Sequence, residues 1–556
     1  MSKQDADLVL RGGAIYTVDA ARSWAQAVAI RDGKLLVVGT DEQVAGVTGQ
    51  DTRVVDLDGR MVLPGFIDAH VHASAGGLER LRCDLSEAHG LPEYLDIIRA
   101  YAEANPGQGW ITGGGWSIDV FPGGIPSRHD LDRVVPGRPV FLSNRDHHAA
   151  WVSSKALELA GVSESTKDPA DGRIEREPDG SPAGTLQEGA MGLVERVVPR
   201  PQVNEQVDGI LEAQRYLHSL GITGWQEAIV GDYAVVPDCF DAYLEAERRG
   251  LLTAGVVGAL WWQRGLGLSQ LDGLAERRDQ AGSSGRFRAT SVKIMQDGVC
   301  ENFTASMLTP YLDGHGHETA GSGASFFDPE ELKAAVTAID GRGFQVHFHT
   351  IGDRAVREAL DAVEAARKSN GPSDNRHHIC HIQVVHPDDL PRFRDLDVPA
   401  NCQALWACEE PQMTELTLPF LGPERSSWQF PFGSLVRSGA QLCFGSDWPV
   451  SSPDPLWEMH VAVNRTVVPG YPYAGPGAGN IFLPEERIGL QDAIAAATIG
   501  SAYVNHADDA TGSLETGKAA DLVVVDRNLF THPVDEIALA KVDLTVAAGQ
   551  IVYERT

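Results

Sequence analysis

The sequence predicts an α/β fold: a (β/α)8 TIM-type barrel, a small β-sandwich built from both chain termini, and an α/β insertion after barrel strand 1. Three observations predict it. The middle of the chain alternates short β-branched runs with helix-patterned stretches, the texture of a parallel sheet covered by helices. Eight such runs can be counted, the number that closes a barrel. Both ends of the chain share a different, turn-broken β texture, and neither end carries enough apolar residues for a core of its own.

Residues 6–63 read as short strands (8–10, 14–18, 27–30, 34–38, 53–56) interrupted by Gly and Asp turns such as Arg31-Asp-Gly33. The texture returns at 517–526, 542–546 and 549–553. Chain termini often lie close together, so 1–63 and 508–556 are expected to form one composite sandwich. Residues 64–507 are expected to form the barrel, with strands at 62–69, 222–226, 253–259, 289–294, 344–348, 378–381, 398–402 and 441–445. Helical patterns fall at 203–220, 329–339 and 354–367. The roughly 150 residues between the first two strands exceed what one helix needs, so about 85–200 hold an insertion with its own strand (139–143), helix and turns.

Composition narrows the partners. The 556 residues include 46 Lys or Arg against 77 Asp or Glu, a formal net charge of −31 spread along the chain. An acidic surface argues against nucleic acid and anionic membrane and leaves a small molecule as the expected partner. No apolar run has the length of a membrane-spanning helix. The stretch Met1 to Asp7 is polar and lacks the basic and apolar regions of a signal peptide. Cys83, Cys239, Cys300, Cys380, Cys402, Cys408 and Cys443 are odd in number, scattered, and form no Cys-x-x-Cys pair. That pattern suits reduced thiols, so a cytoplasmic location is expected. The expected assembly is a homodimer.

The chemistry gathers at strand ends. His70 and His72 close the first strand, and residues i and i+2 of a strand share a face, so two imidazoles can converge on one metal ion. Strand four carries Lys293, strand five ends in His349, strand six in His381, and strand eight in Gly445-Ser-Asp447. Singly, a strand lysine can snorkel to water, an Asp can cap a helix and a His can be a satisfied core residue. Together, on five strands at the end where barrels place their chemistry, they point to a metal site. His347 and His349 share a strand face and either could be the ligand, with His349 preferred for its place nearer the strand end. Around strand six, His377, His378, His381 and His386 compete, and alternation sets His378 opposite His381.

This set resembles the amidohydrolase superfamily. Leu63-Pro-Gly-Phe-Ile-Asp-Ala-His-Val-His72, His349-Thr-Ile-Gly-Asp-Arg-Ala355 and Phe444-Gly-Ser-Asp-Trp-Pro-Val450 are similar to the branch of N-substituted formamide deformylases, amidohydrolase family 3. The resemblance runs nearly the whole chain, to Gly517-Lys-Ala-Ala-Asp521. It implies that His70, His72 and Asp447 bind one divalent metal, that His349 and His381 bind a second, and that Lys293 bridges them as its carbamate. Zinc is the expected metal for such ligands. The implied reaction is hydrolysis of the C–N bond of small N-substituted amides, formamides or carbamates through a metal-bridged hydroxide, with Asp447 as general acid and base. His148 is implied as a substrate contact at the barrel mouth.

Trp448 and Trp116 are expected to wall an apolar pocket, with Trp261, Trp262 and Trp406 as further candidates; the loop 296–305 is a place for specificity residues. The alternatives are a mononuclear deaminase or cyclic-amide hydrolase of the same superfamily, which usually lacks the bridging lysine, and a non-catalytic regulatory or binding protein, which would have lost ligands.

Overall fold

The computed structural model describes residues 5–556 except 89, 108, 146, 170–171, 234–236 and 473. Eight strands run in one parallel sheet in chain order: β1 (Phe66–Val71), β2 (Ile222–Val230), β3 (Gly255–Trp261), β4 (Phe287–Met295), β5 (Gln345–Thr350), β6 (His378–His381), β7 (Ala400–Cys402) and β8 (Leu442–Phe444). Each expected barrel strand is present. The C-terminal end of the first meets the segment just beyond the last, where the Asp447 N–H donates to the His70 carbonyl (2.8 Å) and the His72 N–H to the Trp448 carbonyl (2.9 Å). The sheet is thus a nearly closed barrel. β2 is buried along all nine of its residues, as a strand covered on both faces must be.

Helices wrap this barrel because their apolar residues recur every three or four positions. Asp353–Asn370 buries Ala355, Val356, Ala359, Leu360, Val363 and Ala366 on one stripe. Pro329–Gly341 starts where Asp328 accepts the Glu330 and Glu331 N–H groups and Pro329 occupies the first turn, which needs no donor there. Two further helices, α1 (Ala73–Arg80) and α2 (Val203–Ser219), touch so closely that they leave no room for side chains. A Cβ placed on Gly77 would lie 1.9 Å from the Gly209 carbonyl oxygen. Gly77→Ala should therefore force the helices apart and cost about 1–3 kcal/mol, read as a lowered Tm with unchanged metal stoichiometry.

One expected strand, 62–69, is two. Met61–Pro64 pairs antiparallel with Leu522–Val525 in a second sheet, and β1 begins only at Phe66. Pro64 donates no N–H, and at Gly65 the chain passes against Thr223, whose Oγ1 would lie 2.4 Å from a Cβ. The second sheet has six strands, in the order Gln550–Glu554, Val542–Ala547, Leu522–Val525, Met61–Pro64, Ala14–Tyr16 and Trp24–Ala25. It therefore draws on both ends of the chain. A four-stranded sheet (Lys34–Gly39, Ala27–Arg31, Leu8–Arg11, Arg53–Asp56) shares an apolar cluster with it, in which Leu10, Val28 and Ile30 pack with Val62, Leu522 and Val546.

The segment between α1 and α2 holds more sheet than its sequence suggests. Its expected strand, observed as Val140–Asn144, is one of six, joined by Cys83–Asp84, Ile111–Trp116, Ala149–Val152, Gly172–Arg176 and Pro182–Glu188. Several of these are short or glycine-rich, which hides them from a reading by propensity. Among the described residues no helix is long and apolar enough to cross a membrane. All seven cysteines are free and buried.

Candidate metal centre

Alternation along β1 carries Asp68, His70 and His72 toward the same side, and the three do different work. His70 Nε2 and His72 Nε2 approach one oxygen, Asp447 Oδ1, at 3.1 and 3.0 Å. Asp68 instead fastens β1 to the end of β8: its carboxylate accepts the Ser446 N–H (3.0 Å), the Ser446 hydroxyl (2.5 Å) and the His70 N–H (3.0 Å). Burial pushes Asp68 up to about 7 despite those bonds.

Asp447 and His381 reach the centre through unusual backbone. Asp447 has φ 58°, His381 φ 73° and Ile382 φ 41°. Left-handed conformations cost a non-glycine residue about 1–3 kcal/mol, and structures keep them where the surroundings enforce them. For His381 the enforcement comes from Gln403. Its Oε1 accepts the His381 N–H (2.7 Å) while its Nε2 donates to the Gly445 carbonyl (3.0 Å), tying the end of β6 to that of β8. The left-handed turn overrides strand alternation, so His381 faces inward although His378 and Cys380 do as well. Its ring lies 4.8 Å from that of His70 and 4.4 Å from that of His349, centroid to centroid, and Trp406 stacks on it at 5.3 Å, nearly parallel. Ligand atoms of His70, His381 and Asp447 all lie within 4.8 Å of one another.

Asp297, just after β4, accepts the Ile351, Gly352 and Ser306 N–H groups at 2.9 Å each and so holds the turn that follows His349 and β5. The His349 Nε2 lies 3.4 Å from the Gly298 carbonyl. Lys293 on β4 is 3% exposed and pairs in register with His347. Burial lowers its ammonium pKa, with Cys380 and Asp447 pulling the other way.

These groups fit a divalent cation. Burial, then the Lys293 charge, pushes His70 and His349 down to about 3, and burial holds His381 well below its ordinary range. Each is therefore a neutral imidazole, the form that ligates metal. Burial alone would raise the Asp447 carboxyl, but His70 and His72 outweigh it and hold it well below the usual range. Among the described residues, His72 Nδ1 and His381 Nδ1 are buried with no hydrogen-bond partner, and Asp447 Oδ1 faces the two imidazole nitrogens of His70 and His72. An imidazole and carboxylate set with unmet lone pairs is a donor set for zinc-like ions.

Residues that the sequence did not single out position the set. His72 caps the N-terminus of α1 without a side-chain bond of its own, and Glu227 on β2 accepts the Ser74 N–H (3.1 Å) in its place while the Tyr243 hydroxyl donates to the same carboxyl group. Burial pushes Glu227 up to about 8 from an ordinary 4.5. The folded state thus keeps a proton that the unfolded chain releases near pH 4.5. This contribution to stability is fully present below pH 4.5 and is lost as pH rises through about 8. Glu227→Gln should flatten the decline in stability between those limits, measured by urea unfolding at a series of pH values. Asn401, whose amide donates to the Ala69 carbonyl (2.9 Å), and Gln403 carry one legible signal: two amides in and just after an otherwise apolar strand.

The three expected pocket residues are placed differently from one another. His148 Nδ1 lies 3.0 and 3.1 Å from the Glu188 oxygens, and Asn302 of the loop after β4 donates to Glu188 at 2.6 Å. This clasp joins the insertion to the barrel. Trp448 is buried at 7% exposure, its ring against Gly76 and 5.5 Å from Tyr216, so it fills the gap between β8 and the helices. Trp116 is fully buried, donates its indole N–H to the Leu142 carbonyl (2.9 Å) and packs edge-on to Phe121. The expectation that it walls a pocket is corrected: it is core of the insertion, because a buried indole goes where its N–H finds an acceptor. Trp406 is the tryptophan that meets the centre.

Comparison with known proteins agrees with this arrangement. Residues 53–553 match the amidohydrolase family. The chain is 32% identical to Protein LONG AFTER FAR-RED 3 of Arabidopsis thaliana over 99% of its own length and 92% of that protein. It is 28% identical to the N-substituted formamide deformylase of Arthrobacter pascens over 100% of its length and 99% of that enzyme. The crystal structure of an uncharacterized metal-dependent hydrolase from Pyrococcus furiosus superposes with a TM-score of 0.71 at 27% identity, covering 94% of this chain and 99% of that one. With a full-length match and a barrel whose strand ends gather imidazole and carboxylate donors, the chain belongs to the amidohydrolase family and is a metal-dependent hydrolase of carbon–nitrogen bonds.

Proposed function

We propose that the protein hydrolyses the C–N bond of small, apolar N-substituted amides, formamides or carbamates with a binuclear centre, most simply of zinc. The observation that carries this reading is the buried Lys293 among the imidazoles and Asp447, where an ammonium would repel cations. A buried lysine with a lowered pKa has its free amine within reach. Adding CO₂ to that amine forms an N–C bond, releases a proton and yields an anionic carbamate with two oxygen donors. In this reading His70, His72 and Asp447 would hold one ion, His349 and His381 a second, and the Lys293 carbamate would supply oxygen donors to both.

Bound there, divalent ions would lower the pKa of a water and polarise the scissile carbonyl. Asp447, whose Oδ1 both His70 and His72 approach, would take a proton from that water and return it to the departing nitrogen. His148 is read as a hydrogen-bond partner of substrate, oriented by Glu188. Residues 64–507 supply the site, the composite end pieces 1–63 and 508–556 support it, and the insertion at about 85–200 shapes its entrance. The substrate is a small molecule, handled in the cytoplasm by a dimer.

The N-substituted formamide deformylase similarity supports formamides as the first substrates to try. The test combines elemental analysis of protein purified without chelator with a mass-spectrometric panel of N-substituted formamides, N-acyl amines, carbamates and hydantoins. At least two ions per chain and turnover of an acyclic amide are expected. One ion with hydantoin or aminopurine turnover would replace the reading with a mononuclear cyclic-amide hydrolase or deaminase.

A further inference from the structure

On the face of His70 turned away from Asp447, a second group of donors meets inside the barrel. His70 Nδ1 lies 2.8 Å from His347 Nε2, and Cys380 Sγ lies 2.9 Å from that same nitrogen. Ligand atoms of the three residues all fall within 4.8 Å of one another, and none of the three is more than 1% exposed. They come from β1, β5 and β6.

Hydrogen bonding at His347 Nε2 can join only one of its two neighbours in this cluster at a time. A ring nitrogen of neutral imidazole offers one proton or one lone pair, never both. As an acceptor, His347 Nε2 serves either the His70 N–H or the Cys380 S–H and leaves the other without a partner at contact distance. As a donor it serves one of the two, and if that one is His70, the His70 proton moves to Nε2, the nitrogen facing Asp447. His347 Nδ1, on the far side of the ring, has no hydrogen-bond partner in the buried interior. Nor does His378 relieve the thiol. Its Nδ1 is 3.7 Å from Cys380 Sγ but lies 3.2 Å from the Asn401 amide, and its Nε2 faces Gln226 at 2.9 Å. Buried polar atoms left unmet in this way cost about 1–3 kcal/mol each. A cation among the three atoms takes the lone pairs of His70 Nδ1, His347 Nε2 and Cys380 Sγ together, and His347 then keeps its proton on Nδ1.

We propose that His70 Nδ1, His347 Nε2 and Cys380 Sγ form an inner metal site for a thiophilic ion, Zn²⁺ or Cu⁺, which shares His70 with the carboxylate-bearing outer set. One thiolate and two imidazoles are a donor set that such ions favour over Mg²⁺ or Ca²⁺. On binding, the Cys380 S–H bond breaks, sulfur keeps the electron pair and gives it to the metal, and the proton leaves to solvent. When His70 Nε2 also holds an outer ion, its Nδ1 proton leaves too, and the ring bridges the two ions as imidazolate. The inner ion then fixes the orientation of His70 from behind and adds positive charge beneath the reacting centre.

The test uses the full-length protein, stripped with chelator and reloaded anaerobically with cobalt(II). A sulfur-to-cobalt charge-transfer band in the near ultraviolet is expected, lost in Cys380→Ser and kept in Asp447→Asn and His72→Ala. Cobalt bound at saturation should fall by one ion per chain in Cys380→Ser. X-ray absorption of the wild-type zinc protein should show a sulfur neighbour at about 2.3 Å, a measurement that needs no variant to fold. Absence of the band in cobalt-saturated wild type, or its survival in Cys380→Ser, overturns the site. Two ions, turnover and no sulfur ligation would refute this inference and leave the binuclear hydrolase standing. Sulfur ligation without turnover would do the reverse.

Discussion

Asp447→Asn should lower kcat by about 10²–10⁴-fold, the range that a positioned general acid and base contributes. The substitution preserves shape and one oxygen donor but removes the ability to take a proton from water and return it to the leaving nitrogen. Both His70 and His72 approach Oδ1 of this residue, so the amide can still present an oxygen to them, and elemental analysis should find the metal largely retained. The left-handed backbone at Asp447, held by its N–H bond to the His70 carbonyl, does not depend on the charge. Loss of turnover with metal in place is therefore the expected signature. Full activity in this variant would remove Asp447 from the chemistry.

Lys293→Ala should remove at least one ion per chain and depress kcat by about 10²-fold or more, since a lost metal takes with it several kcal/mol of transition-state stabilisation. The lysine has no other evident purpose at 3% exposure. Burial opposes its charge, and it lies in register with His347 in a ring of imidazoles. A sharper version uses wild-type protein. Metal-free enzyme reloaded with zinc in CO₂-depleted buffer should recover less metal and less activity than enzyme reloaded with bicarbonate. Equal recovery in both buffers would show that the amine is not converted to a carbamate.

Much of the barrel was legible because its signal is local. Apolar runs, their spacing and the helices between them place all eight strands within a few residues, and β6 coincides with the expected 378–381. The break at Pro64-Gly65 was misread as continuous strand because both halves are apolar; their separation into two sheets depends on Leu522–Val525, far away in the chain. Sequence shows the insertion as one strand, a helix and turns because glycine-rich segments such as Ile111–Trp116 pair through backbone alone.

The sequence by itself determined which residue types stand at the barrel's strand ends: His70 and His72 two apart, Lys293, His349, His381 and Asp447 each closing or crossing its own run. Strand periodicity is a nearest-neighbour property, so one chain carries it in full. Tertiary structure alone decided which of these meet and how. It turned His381 inward through a left-handed backbone held by Gln403, brought both β1 histidines to one oxygen of Asp447, and set Cys380 against His347 behind His70. It also sent Trp116 into a core and Trp406 onto His381. Those outcomes follow from closure of the barrel, which fixes distances between residues hundreds of positions apart, and no local pattern encodes such distances.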